Sequence, residues 1–194
     1  MAEITSLCVY CGSRDKVDQA YRDAAVDLGR RLGEAGIRLI YGGGHVGLMG
    51  LCADAALAAG GEVVGVIPEH LLKREVGHED LTALHVTPDM HSRKFKMFEL
   101  SDAFAVLPGG LGTLDETLEI VTWRQLRLHD MPIVLIDING YWAPLTELLE
   151  RTIQAGFAGP EARELFQTVT SVDQVLPAIA AAPQPRVRPR PGLL

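Results

Sequence analysis

The chain has 194 residues, of which 47% are hydrophobic and 22% are charged, and its formal net charge is −7. This composition predicts a globular domain with a sizeable core and excludes a chain that is disordered throughout. The negative charge argues against nonspecific nucleic-acid binding, and the lack of a long apolar run or a leader-like start predicts a cytoplasmic protein with no membrane segment.

Short apolar segments alternate with longer amphipathic segments along most of the chain. Continuous apolar segments are typical of parallel strands covered on both faces, and amphipathic ones are typical of helices. The predicted strands are Ser6–Tyr10, Ile37–Tyr41, Glu62–Ile67, Leu84–Thr87, Ala103–Leu107 and Ile133–Ile136, and the predicted helices span 18–35, 47–59, 90–101, 114–128 and 142–155. This order favours an α/β fold, a Rossmann-like doubly wound parallel sheet in a single domain.

The predicted domain spans residues 1–182 and ends with a short alanine-rich helix that begins near Ser171. Residues 183–194 are rich in proline and arginine, a composition that excludes a helix or a core strand. A solvated, disordered tail is favoured there over a binding arm.

Two of the three cysteines, Cys8 and Cys11, form a C-x-x-C pattern. They fall on the first predicted strand, where residues three apart point to opposite faces. Buried structural cysteines are therefore favoured over a redox or metal pair. The six histidines show no metal-ligand spacing, and no lysine lies in a context that suggests a Schiff base. We expect neither a metal nor a cofactor.

Three glycine-rich turns follow predicted strands, at 11–13, 42–50 and 108–113. Because open α/β sheets bind ligands at the carboxyl ends of their strands, these turns together predict a ligand site, although each alone is also explained as a tight turn. The third turn leads directly into a helix, whose free N–H groups and dipole favour a phosphate. Its pattern is not that of a P-loop, and the first turn lacks the G-x-G-x-x-G of a dinucleotide site.

Two charged residues near these turns are candidates for chemistry. Glu116 lies three residues after Thr113, which fits either a capping box or a carboxylate beside the phosphate turn. Arg93 shares a predicted helix face with Met90 and Met97, and so it is expected to face the sheet. A buried arginine needs a carboxylate or a bound anion as its partner, and the alternative is a side chain that extends to solvent.

Segments 41–50 (YGGGHVGLMG), 90–94 (MHSRK) and 108–116 (PGGLGTLDE) together closely resemble the LOG ("lonely guy") family of cytokinin riboside 5′-monophosphate phosphoribohydrolases. The resemblance spans roughly residues 5–155. It implies a homodimer whose subunits share or border the active site, with Arg93 and Glu116 as the catalytic pair. Proteins with these motifs have often been labelled lysine decarboxylases, a label that the lysine contexts disfavour.

The implied reaction is hydrolysis of the N-glycosidic bond of an N6-modified adenosine 5′-monophosphate, which releases the free base and ribose 5-phosphate. The resemblance assigns substrate contacts to Glu75, Lys94, Thr122 and the phosphate turn, and the other two turns add further candidates. The full set of predicted substrate-binding residues is Gly12, Ser13, Gly43, Gly44, Glu75, Lys94, Gly109, Gly110, Leu111, Gly112, Thr113 and Thr122. Two alternatives stay open, an AMP or general purine/pyrimidine 5′-monophosphate nucleosidase and a non-catalytic nucleotide- or cofactor-binding protein.

Overall fold

A parallel sheet of seven strands organises the computed structural model, which describes residues 4–72, 80–185 and 187. The strand order is β4-β3-β2-β1-β5-β6-β7, and each neighbouring pair is parallel. The strands are β1 (Ser6–Tyr10), β2 (Arg38–Tyr41), β3 (Val63–Pro68), β4 (Ala83–Thr87), β5 (Ala103–Val106), β6 (Ile133–Ile136) and β7 (Gln167–Val169).

Helices cover both faces of this sheet. They are α1 (Gln19–Glu34), α2 (Leu48–Ala58), α3 (Glu69–Leu72), α4 (Met90–Glu99), α5 (Leu111–Gln125), α6 (Ala143–Gln154) and α7 (Val175–Ala181), with short 3₁₀ turns at Ile138–Gly140, Pro160–Glu164 and Val172–Gln174. Apolar residues of α1, α2 and α7 form one buried cluster with the sheet, and those of α4 and α5 form the other. The predicted Rossmann-like, doubly wound α/β fold is confirmed.

The six predicted strands are present, each with bounds within one residue of those expected. The pattern missed β7, an edge strand of three residues of which Gln167 and Thr168 are exposed, because so short a segment has no clear apolar periodicity. It also missed α3 and placed the start of α5 three residues too late, at 114 instead of Leu111. No described helix is long and apolar enough to cross a membrane.

The end of the chain contains the expected alanine-rich helix, α7. After it, residues 183–185 are exposed and without regular structure. The backbone N–H of Val187 donates to both carboxylate oxygens of Asp130, each at 3.2 Å. The disordered tail at 183–194 stays a prediction, because residues 186 and 188–194 lie outside the described part of the chain.

The three cysteines are free and buried. Cys8 packs in the cluster beneath α4 and α5, whereas Cys11 packs in the cluster beneath α1 and α2, so the two thiols lie on opposite faces of the sheet as predicted. Burial raises the pKa of the Cys8 thiol and raises that of Cys52 to about 12. Neither thiol is placed to react as a thiolate near neutral pH.

Alkylation is therefore expected to discriminate the native from the unfolded protein. Cys8 and Cys52 should resist iodoacetamide at pH 8 in the native state and should react fully in guanidinium chloride, because only unfolding exposes them. Mass spectrometry of the alkylated peptides measures each site separately. Rapid native labelling of Cys8 would contradict the buried structural assignment.

Candidate active site

A cavity of about 460 Å³ lies beyond the carboxyl ends of β1 and β5. The chain runs from β1 to β2 on one side and later returns to β5 on the other, so this is the point at which the strand order reverses. Such a switch point is where open α/β sheets bind ligands. The backbone N–H of Gly12 donates to the carbonyl of Pro108 at 3.1 Å and joins the first and third glycine-rich turns at the cavity.

Arg93 of α4 and Glu116 of α5 meet at the wall of this cavity. Nη1 of Arg93 donates to Oε1 of Glu116 at 2.8 Å, and the two residues are only 7% and 8% exposed. Nε also donates to the carbonyl of Val66 at 3.0 Å, and Nη2 donates to that of Gly42 at 3.4 Å. The arginine thus faces inward, and one carboxylate and two backbone carbonyls fix its guanidinium.

Glu116 does not belong to a capping box. The N-cap of α5 is Gly110, and Thr113 lies inside the first helical turn, where its carbonyl accepts a hydrogen bond from the Thr117 hydroxyl at 2.6 Å. The pattern predicted a later start because it took Thr113 as the N-cap. With the true start, the Glu116 side chain pairs with Arg93 instead of reaching back to the helix terminus.

Burial raises the pKa of the Glu116 carboxyl, and the nearby charge of Asp115 raises it further. The Arg93 guanidinium opposes this rise without cancelling it. A raised carboxyl pKa favours general base catalysis, because it makes the carboxylate a stronger base. The site therefore holds one carboxylate of raised pKa beside one arginine that is fixed by hydrogen bonds.

The turn before α5 presents backbone N–H groups to the cavity. Gly110 has no side-chain cap, and the first N–H groups of a helix have no partner within it. A Cβ on Gly110 or on Gly112 would meet nothing within 4 Å, so packing does not require glycine there. Both residues line the cavity. The bare backbone at the positive end of α5 is suited to an anion such as a phosphate.

Packing and a hydrogen bond fix the conformation of this turn. A Cβ on Gly109 would lie 2.1 Å from Oγ1 of Thr113, so the turn can only close with glycine at that position. The Tyr141 hydroxyl donates to the Gly109 carbonyl at 2.5 Å, and the Tyr141 ring makes an edge contact with Tyr21. The turn is held in place before any ligand arrives.

The structure brings most of the predicted substrate-binding residues to this cavity and leaves others outside it. Those that line it are Gly12, Ser13, Gly109, Gly110, Leu111, Gly112 and Thr113. Gly43 and Gly44 do not line it, in contrast to our expectation. Gly43 has a positive φ of 76°, and a Cβ there would lie 3.1 Å from Ile67, so its glycine serves the packing of the turn. Leu48 and Met49 of the same segment line the cavity instead.

Lys94 and Thr122 lie outside the cavity of their own chain. Nζ of Lys94 forms ion pairs with Asp115 and Glu119, each at 3.0 Å. Thr122 is exposed on α5, and its hydroxyl donates to the carbonyl of Leu118 at 2.7 Å. Glu75, the third contact implied by the resemblance, lies outside the described residues.

Sequence reasoning missed several residues that line the cavity, among them Arg14, Tyr21 and Tyr141. Arg14 directly follows the first glycine-rich turn, and this position in the sequence could have identified it as a site residue. Tyr141 follows Gly140, which has a positive φ of 74°, in the connection after β6. Within the described residues, no group of three or more histidine, cysteine or acidic side chains is placed to hold a metal ion.

The sequence matches a protein-family model described as "Possible lysine decarboxylase" over residues 49–179. It is 42% identical over 170 residues to cytokinin riboside 5′-monophosphate phosphoribohydrolase LOG3 of Arabidopsis thaliana, covering 88% of this chain and 79% of that protein. It is equally identical, over the same length, to LOG1 of that plant, covering 88% of this chain and 80% of the relative.

Solved structures share the fold at low sequence identity. The molybdenum cofactor binding protein from Rippkaea orientalis aligns with a TM-score of 0.69 and 20% identity, over 93% of this chain and 98% of that chain. The Moco carrier protein from Chlamydomonas reinhardtii aligns with a TM-score of 0.68 and 18% identity, over 92% and 96%. At such identity the likeness concerns the fold alone. The family-model match and the plant relatives show that the chain belongs to the LOG family.

Proposed function

We propose that the protein hydrolyses the N-glycosidic bond of an N6-modified adenosine 5′-monophosphate and releases the free base and ribose 5-phosphate. The observation that carries the proposal is the buried Arg93–Glu116 pair, with 2.8 Å between Nη1 and Oε1, beside a turn suited to a phosphate. The names of the plant relatives, cytokinin riboside 5′-monophosphate phosphoribohydrolases, support the same reaction.

In this mechanism the glycine-rich turn binds the 5′-phosphate and orients the ribose by contacts remote from the bond that breaks. Cleavage of the C–N bond leaves its electron pair on the base and develops positive charge on the sugar. The Glu116 carboxylate stabilises that charge and takes a proton from the attacking water. The oxygen of that water bonds to the anomeric carbon, and the proton that Glu116 has taken passes to a ring nitrogen of the departing base, which restores the carboxylate. Arg93 holds Glu116 in place and can polarise the departing base.

A lysine decarboxylase activity has no support in this cavity. Pyridoxal-phosphate chemistry requires a lysine that forms a Schiff base with the cofactor. No lysine is among the described residues that line the cavity. Lys94 is close in sequence to Arg93, but its ammonium is engaged by Asp115 and Glu119.

A substrate panel with identified products tests the proposal. The enzyme is incubated with isopentenyladenosine 5′-monophosphate, AMP, CMP and the matching nucleosides, and released base and ribose 5-phosphate are measured by chromatography. We expect the highest kcat/KM for the N6-modified nucleotide, because apolar side chains such as Met49, Leu71 and Met90 line the cavity. Equal rates for all bases would favour a general nucleosidase, and tight binding without base release would favour a carrier.

The pH dependence of kcat reports on Glu116. The carboxylate form is active, so kcat should be retained above its pKa and lost as the pH falls through it. Because burial raises this pKa, the acidic limb should lie above the ordinary glutamate value of about 4.3. Saturating substrate is used because phosphate ionisation, with a pKa near 6, also enters kcat/KM.

The Arg93→Gln variant tests whether Glu116 is the group that titrates. The Arg93 charge lowers the pKa of Glu116, so its removal should move the acidic limb of the residual activity to higher pH. A limb that moves to lower pH would argue against Glu116 as the titrating group.

We further propose that the protein is a homodimer formed through the outer face of α5. Leu111 and Leu118 lie on one stripe of this helix and are 85% and 40% exposed, and Leu126, directly after its end, is 63% exposed. An apolar stripe of this kind is typical of an interface. Thr122 lies on the same stripe, outside its own cavity, so a second subunit packed there would bring it toward the neighbouring active site.

Leu118→Glu is expected to convert the dimer into a monomer, because it buries a charge in the proposed interface. Light scattering coupled to gel filtration measures the mass at micromolar concentration. Leu148→Glu is the matched control, since Leu148 is a 61% exposed leucine on α6 and lies away from this stripe. A wild-type monomer, or a Leu118→Glu protein that stays dimeric, would refute the interface.

A further inference from the structure

The charged side chains that line the described part of the cavity are Arg14, Arg93 and Glu116. Arg93 and Glu116 form a buried ion pair and neutralise each other. Arg14 is exposed, and none of the described residues forms an ion pair with it. Among the described residues, the cavity lining therefore carries one uncompensated positive charge, on Arg14.

The backbone around Arg14 is fixed from two sides. The Asp15 carboxylate accepts a hydrogen bond from the Gly47 N–H at 2.9 Å, and the Asp15 carbonyl accepts one from Nη1 of Arg22, also at 2.9 Å. Gly47 has a positive φ of 72°, and a Cβ there would lie 2.5 Å from the Arg14 backbone nitrogen. The segment that carries Arg14 is thus packed against the start of α2.

This segment also adjoins the phosphate turn. Gly12 donates to the Pro108 carbonyl, and a Cβ on Gly12 would lie 3.4 Å from Cα of Gly109. Arg14, two residues further along, lines the same cavity as the bare backbone of the turn. A guanidinium at that place can form paired hydrogen bonds with phosphate oxygens while the helix N–H groups bind the others.

We propose that Arg14 binds the 5′-phosphate of the substrate and sets the preference of the enzyme for nucleotides over nucleosides. This inference rests on the proposed function. A phosphate monoester carries a charge of about −1.5 to −2 at pH 7, and the N-terminus of a helix supplies only about half a positive charge. Arg14 provides the remaining counter-charge, whereas a nucleoside has no group for it to engage.

Arg14→Gln tests the proposal through a ratio of two activities. We expect kcat/KM for the nucleoside 5′-monophosphate to fall about tenfold or more, the effect of losing a charge-assisted hydrogen bond. The kcat/KM for the matching nucleoside should not change. Arg14→Lys keeps the charge without the paired geometry, so its kcat/KM for the nucleotide should lie between those of the wild type and Arg14→Gln. A fall of equal size for nucleotide and nucleoside, or no fall, would overturn the inference.

Lys16→Gln is the matched control. Lys16 is an exposed cation in the same segment, and it does not line the cavity. The Lys16→Gln substitution removes the same net charge as Arg14→Gln. An effect of general electrostatic attraction would therefore appear in both variants, whereas a direct contact is lost only in Arg14→Gln. Equal losses in the two variants would overturn a direct role for Arg14.

Calorimetric titration with ribose 5-phosphate separates this inference from the proposed function. If the wild-type protein binds ribose 5-phosphate but releases no base from any nucleotide, the hydrolase proposal fails. In that event a weaker affinity of Arg14→Gln, with Lys16→Gln unchanged, still supports Arg14 as the phosphate ligand. Equal affinity of wild type and Arg14→Gln for ribose 5-phosphate overturns the inference whatever the activity.

Discussion

Glu116→Gln should lower kcat for base release by about 10²–10⁴-fold, the range expected when a positioned acid or base is removed. The amide has nearly the shape of the carboxylate, and its oxygen can still accept the hydrogen bond that Nη1 of Arg93 donates at 2.8 Å. It cannot accept a proton from water or carry negative charge toward the sugar. The loss should therefore appear in kcat, with little change in substrate affinity.

Single-turnover kinetics and calorimetry with the N6-modified nucleotide measure the two quantities separately. Glu99→Gln is the control, because it makes the same substitution at an exposed ion pair with Lys96 on the adjacent helix, away from the cavity. Unchanged base release by Glu116→Gln would reject the catalytic assignment. A thermal melt of each variant shows whether a loss reflects chemistry or folding.

Gly42→Ala is expected to reduce kcat by about 10²-fold, because it displaces the guanidinium of Arg93. A Cβ at position 42 would lie 2.1 Å from Nη2 of Arg93 and 3.0 Å from Sδ of Met49. Arg93 cannot yield freely, since its other nitrogens are bonded to Val66 and Glu116. Overpacking should also cost about 1–3 kcal/mol of unfolding free energy.

A double-mutant cycle with Arg93→Lys shows whether the damage passes through the arginine. Lysine ends in a single ammonium and leaves vacant the place of Nη2, which the new methyl group would occupy. Gly42→Ala should therefore cost much less activity in the Arg93→Lys protein than in the wild type. Equal costs in the two backgrounds would show that Gly42 acts by some other contact.

Local patterns in the sequence predicted the fold well because its strands are strongly apolar. Val134 and its neighbours in β6, for example, are completely buried, and such continuous segments have few alternatives in an α/β protein. The prediction was wrong where local chemistry was ambiguous. Thr113 and Glu116 fit a capping box, yet α5 begins at Leu111. The Glu116 carboxylate instead pairs with Arg93, a residue 23 positions away that a local pattern does not include.

In the site, too, local patterns predicted some residues and missed others. Helical periodicity was sufficient to predict that Arg93 faces inward, because it shares a helix face with Met97, an apolar residue that is buried. Periodicity says nothing of which loops meet across the sheet edge, so it gave no reason to choose Arg14 or Tyr141. The glycine-rich turn after β2 placed Gly43 with the ligand, whereas Gly43 does not line the cavity and packs closely against Ile67.

The order of the strands separates the parts of the cavity along the chain. Arg93 and Glu116 flank β5, near the middle of the sheet, whereas Tyr141 belongs to the connection between β6 and α6. Because the Tyr141 hydroxyl donates to the Gly109 carbonyl, substitutions in that outer connection would loosen the phosphate turn while leaving the ion pair undisturbed. Phosphate affinity and bond cleavage would therefore respond to substitutions in different parts of the chain.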